Sequence, residues 1–555
     1  MSKVSSFMYR YLIFLILSFA LCANTIFINA KIYTVNPQKP WAQAIVIDEG
    51  LIKYVGTNRQ ALSYKNSNTK IVDAKSKFMM PGIIDAHTHI GIGSILLEQG
   101  VNLLRSKGKK QIFSTIKEYA KSSDEKIITG FGFYPYVLGQ KGPTKEQLDH
   151  LVPNRPAFLI SNNGHSAWVN SKALTLLGLS SKTKDPLPGM HYYERNAKGE
   201  PTGFLVEGEA FWPHLKKIGI GKQSAFYKGL KNFLPKLSKQ GITTIFDAGI
   251  PAVEENAYKA LIQLEKEKKL PLRFFASHYI INEYDAQNAA KTFKKYQNQY
   301  NQNLFSLSTV KFSNDNSDDD QFAIQFQEKK LSNFLLPLLK EGIDIMIHTS
   351  HDSSVHQALN AIEKNRSYLF KKQSRITLAH VNMVRDSDFK RFQKLNIIAN
   401  IQPFNAKGGG YYEYRYLLYE DWEDKLVRFK TFFDTKTMVS ASSDFPACNS
   451  SLEKCSPYES MQIAITRQNP VLGIKSPILP NLDERLNIKQ IIQAYTINAA
   501  YQLHQEKNIG SLEIGKKADL ILLDQDLLSS DSYDIHKSKV LLTMVNGEIV
   551  YEIKK

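Results

Sequence analysis

Strand-like and helix-like hydrophobic patterns alternate through the middle of this chain. The runs GITTIFDAG, LPLRFFASHYI, LSTVKFS, IDIMIHTS, RITLAHVN, NIIANIQPF and TMVSASSDF are short, apolar and rich in β-branched residues, and helical segments separate them. With PGIIDAHTHI ahead of them, they predict an α/β chain whose residues 81–504 form a (β/α)8 TIM-like barrel. The two ends carry a different rhythm. Residues 24–80 (TIFINAKIYTV, AIVIDEGLIKYVG, KIVDAKSKFMM) and 505–555 (ADLILLDQDL, VLLTMVNGEIVYE) alternate strand runs with Gly, Asp and Asn turns. Asn546-Gly547 is a hairpin signal, and the carboxyl-terminal strands can complete the sheet begun at the amino end.

Composition supports a folded enzyme-sized body. Hydrophobic residues make up 43% and charged residues 22% of the 555, a balance that excludes a disordered chain. No period of 20 to 50 residues repeats along the chain. The first residues read as an export leader: Lys3 and Arg10 precede YLIFLILSFALCA, an apolar run short for a bilayer span and ending in small residues. Cleavage after Ala23 is expected, leaving a periplasmic protein with no integral membrane segment; an uncleaved anchor is the alternative. Without Lys3 and Arg10 the chain has 69 basic and 53 acidic residues, a net charge of +16. The lysines are scattered at amphipathic spacings (KKIGIGK, EKEKKL, LFKKQSR) with no nucleic-acid motif, so no nucleic-acid partner is expected.

Polar residues stand at the carboxyl ends of several barrel runs. A strand's period of two puts His87 and His89 of DAHTH on one face where the first run stops. An isolated HxH is equally well a pair of hydrogen-bonded structural histidines. Lys311, His348, His380 and Asp444 end later runs in the same way. Histidine and carboxylate converging on one barrel mouth is the composition that a hydrolytic divalent metal site requires, because nitrogen and oxygen donors suit zinc and leave coordination positions open.

In order along the chain, PGIIDAHTHI, GPTKEQLDHLVPNRPAFLISNNGHSAWVNSKAL, PTGFLVEGEA, GITTIFDAG, VKFSND, IHTSHD, LAHVNMV, SASSDFP and YTINAAYQLHQEKNIGSLEIGKKADLILLD resemble the amidohydrolase superfamily, specifically its YtcJ-like branch, similar to N-substituted formamide deformylases. The resemblance covers nearly the whole mature chain. It implies a metal-bearing barrel, a composite β-sandwich from both chain ends and an insertion near residues 130–240 over the mouth. It implies a metal-dependent hydrolase of small amides with one or two zinc ions. His87 and His89 match the first-strand ligand pair, His348 and His380 the fifth- and sixth-strand ligands. Asp444 matches the aspartate that holds the metal and takes a proton from the attacking water. Lys311 matches a lysine that relatives convert to a metal-bridging carbamate; a plain salt bridge to Asp315 is the other reading. Glu207 offers a further carboxylate.

Some positions depart from the branch. Asp315 is followed by Asn316 rather than Gly, and His348-Thr349-Ser350-His351-Asp352 replaces His-x-x-Gly-Asp. His351 then reads as a substrate-facing histidine or as an ordinary loop residue. His165, Trp168 and Asn170 of GHSAWVNS are expected to shape the pocket, with a core role as the alternative for Trp168. Hydrolysis of cyclic amides or lactones, and a non-catalytic binding protein on the same fold, remain open, as does a homo-oligomer. Cys448 and Cys455 are the cysteines left after leader cleavage. In an oxidising compartment they are expected to form a disulfide, against the competing reading of a thiolate metal site.

Overall fold

The computed structural model describes residues 25–106, 108–315, 323–407, 425–448, 455–479 and 481–553. Eight parallel strands form one sheet in chain order: Ile83–Thr88, Ile242–Asp247, Arg273–Ile280, Phe305–Ser313, Asp344–Thr349, Ile376–His380, Ile398–Ile401 and Met438–Ala441. These are the first to eighth barrel strands. Covered on both faces, they can be apolar throughout, which is why their sequences read as continuous hydrophobic runs rather than alternations. In the fifth strand, Ile345 and Ile347 join the outer core with Leu338 and Leu359. Met346 between them packs inward with Phe246 and Ala379.

The barrel's seam closes at its carboxyl end. There the Asp444 N–H donates to the His87 carbonyl (2.9 Å) and the His89 N–H to the Phe445 carbonyl (2.7 Å). Buried Asp85 adds a third link, accepting the Ser443 N–H at 2.9 Å.

Both chain ends build the flanking sheets. A six-stranded sheet runs Glu548–Glu552, Val540–Val545, Leu520–Leu523, Phe78–Pro81, Lys31–Tyr33, Trp41–Ala42, mixing carboxyl- and amino-terminal strands. A four-stranded sheet of Leu51–Gly56, Ala44–Asp48, Thr25–Ile28 and Lys70–Asp73 shares a core with it, through Phe27, Ile45, Met79, Leu520 and Met544. Asn546 (φ +51°) and Gly547 (φ +77°) turn the last hairpin in the left-handed region that their residue types favour. A buried ion pair fastens this unit to the barrel: Arg273 Nε and Nη2 donate to the two Asp519 carboxylate oxygens at 3.0 and 3.1 Å.

Between the first and second barrel strands a third sheet is inserted, ordered Tyr192–Arg195, Pro201–Val206, Ser166–Val169, Ala157–Ser161, Ile128–Phe133, Val101–Asn102. It begins at Val101, earlier than the expected 130, and ends at Val206. The following helix Gln223–Ser238 belongs to the barrel wall: Phe226, Leu230, Phe233, Leu234 and Leu237 on its apolar face enter the barrel's outer core. Residues 1–23, the expected leader, lie outside the described residues. Among the described residues no helix is long and apolar enough to cross a membrane.

Candidate metal centre at the barrel mouth

The barrel positions the candidate ligands by strand geometry. His87 is in the first strand and His89 one residue past its end, as the N-cap of helix Ile90–Leu96. Lys311, His348 and His380 lie in the fourth, fifth and sixth strands, and Asp444 lies three residues beyond the eighth. One ligand atom each from His87, His89 and Asp444 falls within a common 4.8 Å. His87 Nε2 is 3.4 Å and His89 Nε2 3.6 Å from Asp444 Oδ1, and His380 Nδ1 is 3.9 Å from Oδ2. The His380 ring in turn packs 4.1 Å from the His348 ring, centroid to centroid.

Burial sets the protonation of these groups. It pushes His87, His348 and His380 well below the ordinary imidazole range, helped by the neighbouring cationic groups, and His89 down to about 4. The imidazoles are therefore neutral at physiological pH, with lone pairs to offer. Burial also draws the Lys311 ammonium down and the Asp444 carboxyl up, while attraction between the two opposes both shifts. Both His87 ring nitrogens, His380 Nε2 and Lys311 Nζ are buried without a hydrogen-bond partner among the described residues. Each such orphaned group costs about 1–3 kcal/mol. A divalent cation fits the histidine and carboxylate donors, because it would take up one lone pair each from His87, His89 and Asp444, whereas Lys311 Nζ could join them only as an uncharged or modified group.

Backbone strain concentrates here as well. Asp444 (φ +53°), His380 (φ +75°) and Glu207 (φ +62°) all occupy the left-handed region that non-glycine residues seldom adopt.

The insertion delivers His165 and Glu207 to the same place. Glu207 follows the strand Pro201–Val206, and its Oε2 lies 2.9 Å from His165 Nδ1. The His165 ring stands 5.7 Å from that of His348. Trp168 does not join them: fully buried, it packs against Phe113 and Phe133 and donates from Nε1 to the Thr144 carbonyl at 2.8 Å. The pocket role expected of Trp168 is corrected to a core role, because it lies within the strand Ser166–Val169 whereas His165 lies just before it. Asn170 is likewise structural, capping helix Ser171–Leu177 and donating to the Val152 and Arg155 carbonyls. His351 caps helix Asp352–Lys364, its Nδ1 accepting from the Ser353 N–H and lying 3.1 Å from Asp352. That contact holds its ring at the helix end.

Asp315 is occupied by the same helix start. Its Oδ2 accepts from the N–H groups of Ser350 and His351 and from the Ser354 hydroxyl, and its Oδ1 is 3.3 Å from His348 Nε2. Lys311 thus has no direct hydrogen bond to Asp315, contrary to the salt-bridge reading. Cys448 and Cys455 are joined in a disulfide just beyond Asp444, with Cα atoms 5.8 Å apart.

Three contributors escaped the sequence reading: Asp85, Asp247 and Tyr279. Tyr279, the last residue but one of the third strand, has its ring so close to Gly249 that an added Cβ there would meet Cδ2 at 2.2 Å. All three stand within or near the carboxyl ends of apolar strand runs, but nothing in the sequence marked the backbone amides of Ser443 and Gly91 that Asp85 and Asp247 hold.

The Amidohydrolase family model matches residues 70–551. The chain belongs to the amidohydrolase family. It is 24% identical to the N-substituted formamide deformylase of Arthrobacter pascens, over 95% of this chain and 98% of that one. It is 25% identical to the putative amidohydrolase YtcJ of Bacillus subtilis, over 94% and 98%. An uncharacterized metal-dependent hydrolase from Pyrococcus horikoshii shares the fold, with a TM-score of 0.69 at 22% identity over 92% of this chain and 99% of that chain. Family membership makes this amidohydrolase an enzyme that hydrolyses carbon–nitrogen bonds other than peptide bonds.

Proposed function

We propose that this amidohydrolase is exported, holds zinc at the barrel mouth, and hydrolyses a small amide of the N-formyl or N-acyl type. The observation that carries the reading is the convergence of His87, His89 and Asp444 within 4.8 Å among neutral imidazoles. His87 and His89 would hold one ion from the first strand, and His348 and His380 would add ligands from the opposite side. When bound, the ion supplies Lewis acidity toward the scissile carbonyl and brings the pKa of water to about 7. Asp444, beside His87 and His89 at the seam, takes the proton from the attacking water and returns it to the departing amine. Lys311 Nζ, buried and without a hydrogen bond among the described residues, favours the neutral amine that adds carbon dioxide, forming an N–C bond and releasing a proton. The resulting carbamate would supply oxygen ligands between two metals. His165, oriented by Glu207, borders the space in which the acyl group sits.

The basic-then-apolar start and the Cys448–Cys455 bridge support export to an oxidising compartment. The substrate type rests on the deformylase likeness. The test is metal analysis of the purified mature protein, followed by amine release from N-formyl, N-acyl and cyclic amides. Stoichiometric zinc with release from a formamide or acyl amide is the expected result. Folded protein that cannot be loaded with any divalent metal would overturn the reading, and amino-terminal sequencing should find Asn24 first.

A further inference from the structure

The most unusual unexplained group near the site is Asp247, the last residue of the second barrel strand. It is fully buried, and no cation pairs with it among the described residues. A lone buried carboxylate is costly unless hydrogen bonds replace its water. Both of its oxygens are used in that way. Oδ2 accepts the Gly91 N–H at 2.6 Å, and Oδ1 accepts the Gly249 N–H at 3.0 Å.

These two amides lie on either side of His89. Gly91 is the second residue of the helix that His89 caps, so one oxygen fixes the chain immediately after the histidine. The other fixes Gly249, whose carbonyl oxygen lies 3.1 Å from His89 Nδ1. A carbonyl can only accept, so this contact places the proton on Nδ1 and leaves Nε2 with a lone pair directed toward Asp444. The loop has little room to relax. A Cβ on Gly91 would meet Ile250 at 2.3 Å, and one on Gly249 would meet the Tyr279 ring at 2.2 Å. The backbone bond from Ala248 N–H to the Thr88 carbonyl (2.7 Å) registers the same two segments.

We propose that Asp247 is a positioning residue that acts through the Gly249 carbonyl to set the tautomer and direction of His89, and so the metal affinity of the first-strand pair. The proposal rests on His89 being a ligand. Partners that orient a ligating histidine typically change metal affinity about 10- to 100-fold when removed. The competing role is purely structural: Asp247 would cap helix Ile90–Leu96 from outside and matter only for stability.

The test compares wild type with Asp247→Asn, in which the amide group must turn N–H toward one of the two donors, and with Asp247→Ser as a second variant should the first not fold. Ile245→Val, in the same strand, controls for stability. Zinc affinity is read by competition with a chromophoric chelator, and the Co2+-loaded proteins by their visible absorption. In the metal-free proteins, the His89 tautomer is read by 15N NMR, with His89→Ala for assignment. The expected result is at least tenfold weaker zinc binding, an altered cobalt spectrum and loss of the Nδ1–H tautomer in the Asp247 variants, with Ile245→Val like wild type. A folded Asp247 variant with unchanged zinc affinity, cobalt spectrum and His89 tautomer would overturn the proposal. Failure of wild type to bind zinc or cobalt would instead count against the proposed function, and the tautomer measurement would still decide the effect of Asp247 on His89.

Discussion

The two sides of the barrel mouth are built on different plans. On the side of the first and eighth strands, the backbone itself locks the donors. Asp444 bonds to the His87 carbonyl, His89 to the Phe445 carbonyl and Ser443 to Asp85, so His87, His89 and Asp444 are fixed relative to one another before anything binds. On the side of the fourth and fifth strands, Lys311 has no hydrogen bond among the described residues and His348 leans on Ser350 and Asp315. The first side is a finished three-donor set. The second has no such backbone lock, so the two sides should respond differently to substitution.

The largest effect is expected from Asp444→Asn, which keeps the seam's backbone bonds and removes the carboxylate proposed to move the proton. Turnover should fall about 10²- to 10⁴-fold, the usual range for losing an acid–base group, while most of the metal stays. Near-normal turnover with metal bound would show that the proton travels by another route. His87→Ala should lower metal content and rate together, because a ligand is lost before any chemistry begins. Metal analysis separates the two variants. If His87→Ala retains full metal and loses only rate, the locked side is catalytic without being the binding side.

Much of this centre was legible because barrel strands give sequence position a direct spatial meaning. A polar residue at the carboxyl end of an apolar run, as with His87, His348 and His380, has one place to go. His165 and Trp168 show where that logic ends. They are three residues apart in one motif, yet His165 precedes a strand and reaches the metal site while Trp168 lies within it and fills the insertion's core. Asp85 and Asp247 were illegible for another reason: each acts on backbone amides far along the chain, Ser443 for the first and Gly91 for the second. No local pattern marks such partners. The Arg273–Asp519 pair, which ties barrel to sandwich, is hidden in the same way.

The incomplete side is tested by Lys311→Met, which removes the amine and any carbamate without changing much volume. Turnover should drop about tenfold to a hundredfold, as for the loss of a partner that shapes a metal site. Metal stoichiometry should fall toward one ion per chain. Wild type prepared free of carbon dioxide should regain activity when bicarbonate is supplied with zinc, and the variant should not. Full turnover and unchanged stoichiometry in Lys311→Met would mean that this side contributes neither ligand nor bridge.

The smallest effect is expected at the disulfide, which asks how far the locked side extends beyond Asp444. Residues 449–454 between the cysteines lie outside the described residues. Closing so short a loop stabilises a fold by roughly 2 to 3 kcal/mol in the chain-entropy model. Cys448→Ser with Cys455→Ser should therefore lower the unfolding free energy by about that much, read by denaturant titration. Turnover should change less than about threefold, because Asp444 is held through its own N–H to His87 and through the Ala447 N–H that donates to its carbonyl at 2.8 Å. Unfolded, non-reduced wild type should titrate no free thiol among the two mature cysteines. If the double variant lost turnover on the scale of Asp444→Asn while remaining folded, the loop rather than the seam would be holding the aspartate, and the contrast between the two sides of the mouth would fail at its strongest point.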